Sequence, residues 1–187
     1  MYSENGKEIT WETFGFGTKI DKSKIVTILG EPSFRSKPKR AWWGSRTDTE
    51  YGWKHWCEDN CYRTCEESNK SVWGLEVGSK ILKVSRDDLE ILNYIVEGDI
   101  SISPIKYQPI DVEKHIKAIN NRIYDESHFS SYAIDFNKIK DDGYDAVELM
   151  DANIGHGIYD MRSVLTCFNC WDCESIVILN PEKIIFL

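Results

Sequence analysis

Three groups of side chains have the types and spacing to do chemistry. Asp172 and Glu174 stand two residues apart just before the apolar run Ser175-Ile176-Val177-Ile178, so on an extended strand both carboxylates would face one side. The plainer reading is a solvent-facing pair at the mouth of a strand. Arg35, Lys37, Lys39, Arg40 and Arg46 gather five cations within twelve residues, enough to meet a small anion such as a pyrophosphate, or simply to form a solvated basic loop. The six cysteines fall into two triplets, Cys57, Cys61, Cys65 and Cys167, Cys170, Cys173.

The first triplet has helical spacing and shares a stripe with Trp53 and Trp56, which favours buried small residues over metal ligands. Cys57 and Cys65 would stand about 12 Å apart on a straight helix, too far to share one zinc. Cys167 and Cys170 have the spacing of a metal knuckle and could begin a structural zinc site with two helix cysteines. No fourth ligand is evident, and zinc is not the favoured reading. The four His, at 55, 115, 128 and 156, show no paired metal spacing.

These side chains need a scaffold, and the chain reads as short helices followed by short strands. Helical spacing is expected over 21–30, 51–67, 87–96, 112–123 and 135–142, with Gly30 and Gly143 as stops. Ala41-Trp42-Trp43-Gly44-Ser45 predicts a short aromatic strand, and residues 71–77 and 80–85 predict a hairpin turning at Gly78-Ser79. Apolar, β-rich strands close the chain at 145–150, 174–179 and 184–187, with Asn180-Pro181-Glu182 as a turn. The pattern predicts one α+β domain over 1–187, with helices mainly in the N-terminal two-thirds. Neither a dinucleotide glycine fingerprint nor a Walker loop is present.

Three phrases, in order, carry a resemblance: Lys37-Pro38-Lys39-Arg40-Ala41-Trp42-Trp43-Gly44-Ser45, Gly143-Tyr144-Asp145-Ala146-Val147, and Glu174 through Ile184 with its Ile-Leu-Asn-Pro turn. Together they are similar to the ADP-ribosyltransferase fold family, in which a glutamate opens a late strand running into an Asn or Asp, a Pro and a final Ile. The resemblance implies a split antiparallel β-sandwich, NAD as co-substrate and a macromolecular acceptor, most simply a protein. Cleaving the nicotinamide bond builds positive charge on a ribose, so the site needs an anion beside the sugar and aromatic walls that exclude water.

By the same resemblance Glu174 is the stabilising anion, and Asp172 completes a pattern like the Glu/Gln-x-Glu motif in which the earlier residue orients the acceptor. Trp43 and Ser45 are expected to supply a wall and a hydrogen bond at the nicotinamide ribose, and Gly17 and Thr18 to allow backbone approach. The family places a His or Arg on its first strand. The matching stretch here, Phe14-Gly15-Phe16-Gly17-Thr18, has neither, so Arg35, Arg40 or Arg46 would have to substitute. That gap keeps two alternatives open: an NAD glycohydrolase, and a catalytically silent binding module on the same fold, with or without zinc.

Composition narrows the classes. Hydrophobic residues form 41% of 187 positions and charged residues 29%, with seven Trp, nine Tyr and seven Phe, which describes an ordinary globular chain. A net charge of −8 argues against generic nucleic-acid binding, which needs clustered cations to release counterions. No run approaches the roughly 18 apolar residues of a membrane span, and Met1–Lys7 lacks a signal-peptide pattern. The expectation is a cytoplasmic protein.

Overall fold

The computed structural model describes residues 1–15, 20–32, 37–38, 40–85, 88–99, 104–121, 130–151, 164–168 and 171–187. It is a mixed α+β domain, mostly sheet. A small hairpin pairs β1 (Ser3–Glu4) with β2 (Lys7–Glu8). A seven-stranded sheet is built from β3 (Trp11–Phe14), β4 (Trp42–Arg46), β5 (Lys70–Leu75), β6 (Ile81–Val84), β10 (Ala146–Leu149), β11 (Ser175–Ile178) and β12 (Ile184–Phe186), in the order β12-β5-β3-β4-β11-β10-β6. A separate three-stranded sheet orders β8 (Tyr107–Pro109), β7 (Ile95–Asp99) and β9 (Ser130–Ile134) as β8-β7-β9. Three α-helices are described: α1 (Trp53–Asp59), α2 (Val112–Asn121) and α3 (Phe136–Asp141).

Side chains alternate along paired strands, so the large sheet has two faces. One face carries Trp11, Trp73, Leu75, Ala146, Ile176 and Ile178, packed with Ile9 and the partly buried Trp42. The other carries Leu82, Val84, Val147, Leu149 and Val177, which join Ile95, Ile134, Ile139, Phe168 and Trp171 in the larger core. Burying each such side chain contributes on the order of 2 kcal/mol, and the strands are therefore rich in β-branched and aromatic residues.

The sheet divides between β3 and β4. Only two residue pairs join them, Trp11↔Arg46 and Glu12↔Ser45. Beyond that point β4 follows β11 through Gly44, Trp43 and Trp42, while β3 continues along β5 to Phe14. Gly44 sits at the divergence because a Cβ there would lie 2.6 Å from Trp73 Cζ2 and 3.0 Å from the Glu12 carbonyl oxygen.

Local chemistry explains the ends of several elements. The Asp135 carboxylate caps α3 by accepting from the Lys138 backbone N–H at 3.0 Å, and Gly143 ends it with φ +89°. Asp145, in the Gly-Tyr-Asp phrase, is buried. It accepts from Lys80 N–H at 2.9 Å and from Asn180 Nδ2 at 2.7 Å, so it ties the start of β6 to the Asn-Pro turn after β11.

Several expectations are corrected. Residues 21–30 form only a 3-10 turn, Lys22–Lys24. Helix α1 stops at Asp59, because Cys61 takes a left-handed φ of +49°, so Cys57, Cys61 and Cys65 share no helical stripe. Residues 90–94 form a 3-10 turn that runs into β7, where Ile95 and Val96 gain β9 as a partner. The expected hairpin does not form: β5 pairs with β3 and β12, and β6 pairs with β10. That last pairing is parallel, so the sheet is not wholly antiparallel.

Candidate active site

Where β4 leaves β3 the sheet opens into a cavity of about 270 Å³, closed by α1 and by the segment that leads into β11. Its walls are aromatic: Phe14, Trp43, Trp53 and Trp171. Trp171 meets Trp43 edge to face at 4.7 Å between ring centroids and 74° between planes. Behind Trp53 the ring of Trp56 stacks at 5.1 Å, and Tyr62 packs edge-on against both. Cys57, Cys65 and Phe14 fill the space beneath.

Three charged side chains line this apolar space: Glu12, Lys37 and Asp172. Lys37 Nζ lies 3.8 Å from an Asp172 oxygen and 5.3 Å from the Trp43 ring centroid. Glu12 stands opposite Ser45 across the β3–β4 junction, with Lys70 Nζ at 3.9 Å. Burial pushes the Glu12 carboxyl above the ordinary carboxylate value despite that lysine.

The structure separates the two carboxylates that the sequence paired. Asp172 lines the cavity, whereas Glu174, one residue before β11, is not among the lining residues. Residues 171–174 are not yet strand, so the two-residue rule does not hold across them. The Glu174 carboxylate accepts from the Thr49 hydroxyl at 2.5 Å, and its main-chain N–H donates to the Tyr51 carbonyl at 3.0 Å. Burial raises its pKa, the Thr49 hydrogen bond opposes this, and Asp151 and Glu148 add to the rise while Arg46 opposes it.

Ser45 is 2% exposed. Its Oγ donates to the Glu174 carbonyl at 2.8 Å and accepts from Trp53 N–H at 2.9 Å. The hydroxyl expected to meet a ribose therefore brackets β4, the first turn of α1 and the entry to β11. Trp43 lines the cavity.

Arg46 turns to the opposite face from its neighbour Ser45. Its guanidinium reaches Glu148 at 2.7 and 2.9 Å and Glu4 at 2.9 and 3.2 Å, and Glu148 also accepts from Trp11 Nε1 at 2.7 Å. With Glu148 only 2% exposed, this bidentate pair is part of the scaffold, and the expected cofactor role for Arg46 is not supported. Arg40 is exposed, with φ +52°. Gly17, Thr18, Arg35, Lys39, His128, His156 and Cys170 lie outside the described residues.

The cysteines also divide. Cys57 and Cys65 pack in one cluster, and burial pushes Cys57 up to about 12. Cys173 is raised to about 11, again chiefly by burial, so neither is a ready thiolate at neutral pH. Cys167 lies in the other core with Trp171, away from Cys57 and Cys65, whereas Cys173 is near enough to Cys57 to add to the rise of its pKa. Among the described residues no three His, Cys, Asp or Glu side chains gather as a metal site.

Sequence reasoning missed Glu12, Phe14 and Trp53 as parts of this site. The signal was present in Trp11-Glu12-Thr13-Phe14, a short aromatic and β-branched run that ends at Gly15. Placing the first strand at 14–18 set it three residues late.

Comparison with family models, curated proteins and solved structures finds no match to the chain. Among the described residues no helix is long and apolar enough to cross a membrane.

Proposed function

We propose that this protein binds NAD in the cavity between β3 and β4 and cleaves its nicotinamide glycosidic bond, passing ADP-ribose to a macromolecular acceptor, most simply a protein. The observation that carries this reading is an aromatic-walled cavity at the point where the sheet divides, bordered by the segment that enters β11. The resemblance of the sequence to ADP-ribosyltransferases puts NAD chemistry at that segment, and a dividing sheet is in keeping with their split sandwich.

Each side chain then has a task. Trp43, Trp53 and Trp171 hold the flat nicotinamide ring and keep water from it. Asp172, on the cavity wall, orients the acceptor group. On this reading Glu174 keeps one oxygen on Thr49 and offers Oε1 to a ribose hydroxyl, stabilising the positive charge that develops as the bond breaks. With water as acceptor the same site is an NAD glycohydrolase.

A second reading, a silent binding module, is favoured by one observation: Glu174 does not line the cavity and already has a partner in Thr49. Free nicotinamide, followed with NAD alone and with added acceptor proteins, separates these. On the proposed reading Glu174→Gln lowers release about a hundredfold or more, and Asp172→Ala lowers transfer more than hydrolysis. Release that needs acceptor proteins identifies a transferase. NAD binding without release, unchanged by Glu174→Gln, leaves the binding module.

A further inference from the structure

The cavity already holds a cation of its own. Lys37 Nζ sits over the Trp43 ring at 5.3 Å from its centroid and pairs with Asp172 at 3.8 Å. Trp171 forms a corner with Trp43, and Glu12 adds a second carboxylate to the lining. Aromatic faces present negative potential to a cation, and two carboxylates in a largely apolar space reinforce it. Against these two carboxylates the described lining residues supply one positive charge, on Lys37, with Lys70 Nζ beside Glu12 at 3.9 Å.

We propose that this cavity is a cation-selective aromatic cage, that Lys37 occupies its seat in the free protein, and that its ligand presents a flat cationic nitrogen which displaces the ammonium. Lys37 suits an exchangeable occupant. Its side chain is 40% exposed and flexible, and a half-exposed ion pair at that separation contributes little, so the ammonium moves into water at small cost. A neutral ring would gain the same contact area but would have to displace the lysine without replacing its charge. The inference rests on the cavity reading above and deepens it, because the nicotinamide ring of NAD is a pyridinium cation. It does not require that the glycosidic bond be cut.

The test compares two probes of nearly equal size, the ring-N-methylated nicotinamide cation and neutral nicotinamide, by titration calorimetry on wild type, Lys37→Met and Asp172→Asn. Wild type is expected to favour the cation about fivefold, the ratio that a partly desolvated cation–aromatic contact supplies. Lys37→Met, at an exposed position, tightens the cation by a similar factor and tightens nicotinamide as well, because neither probe then has an ammonium to displace. Asp172→Asn narrows the preference. Equal affinity for the two probes, a Lys37→Met protein that binds the cation no better than wild type, or no binding of either probe overturns the cage. Cation selectivity without nicotinamide release from NAD would sink the cleavage reading alone, and release without cation selectivity would sink the cage alone.

Discussion

At the scale of single residues, Ser45 both lines the cavity and ties together the segments that close it. Its hydroxyl joins Trp53 N–H to the Glu174 carbonyl, and losing it strands both groups in a buried place. Ser45→Ala is expected to cost about 1–3 kcal/mol, read as a lower denaturation midpoint, and to slow nicotinamide release through displacement of Glu174. A variant with wild-type stability would show that water or a neighbour takes over the bracket. Glu174→Gln should behave in the opposite way. Burial already raises its pKa, so removing the charge leaves stability unchanged or slightly higher. The sequence indicated the neighbourhood of the site, since Trp43, Ser45, Asp172 and Glu174 all meet around β4 and β11. Their roles were not legible, because which face a side chain takes depends on where a strand begins. Residues 171–174 enter β11 as irregular chain, and this sends Asp172 and Glu174 to different surroundings.

At the scale of elements, the site exists because β4 changes partner along its length. Arg46 and Ser45 pair with β3, and Gly44 to Trp42 pair with β11. Gly44 is the hinge of that change, and its missing side chain lets Trp73 cross beneath it. Gly44→Ala brings a Cβ within 2.6 Å of an indole carbon that is itself fully buried. The expected loss is about 1–3 kcal/mol, measured by chemical denaturation, with an altered cavity seen as weaker nicotinamide binding. A neutral substitution would mean that Trp73 can retreat. The strands at 42–46, 146–149, 175–178 and 184–186 were legible because β-branched and aromatic residues crowd them and Gly, Asn or Pro bound them. Helices α2 and α3 were legible from spacing, and α3 also from its stop at Gly143. The others failed for identifiable reasons. Cys61 in the left-handed region cuts the aromatic helix short. Ile95 and Val96, read as helix, find a strand partner 39 residues downstream in the Ile95↔Ile134 register. The partners of β5 and β6 are more distant still, so local turn chemistry at Gly78 suggested a hairpin that long-range pairing overrode.

At the scale of the molecule, one ion network spans the scaffold. Glu4 from the terminal hairpin, Arg46 from β4, Lys83 from β6 and Glu148 from β10 meet on one face. Burial works against the Glu4 carboxylate, but Arg46 and Lys83 outweigh it and lower its pKa to about 2. A depressed pKa means that the unfolded chain takes up the proton first, so the stability Glu4 contributes is complete above its ordinary value of 4.5 and drains away as pH falls from there towards 2. Glu12 and Glu174 act with the opposite sign, because burial raises both above 4.5. Their protonated forms favour the fold, an advantage complete below 4.5 and lost as pH rises through their raised values. Descending from neutral pH, the denaturation midpoint should therefore hold or rise slightly while Glu12 and Glu174 take up protons, and then fall below pH 4.5. The Glu12→Gln, Glu174→Gln double variant should lose the first phase and keep the second. Glu4→Gln should do the reverse, flattening the acid limb while lying below wild type at neutral pH. If Glu4→Gln leaves the acid limb unchanged, the network is not what couples the terminal hairpin to the two halves of the sheet.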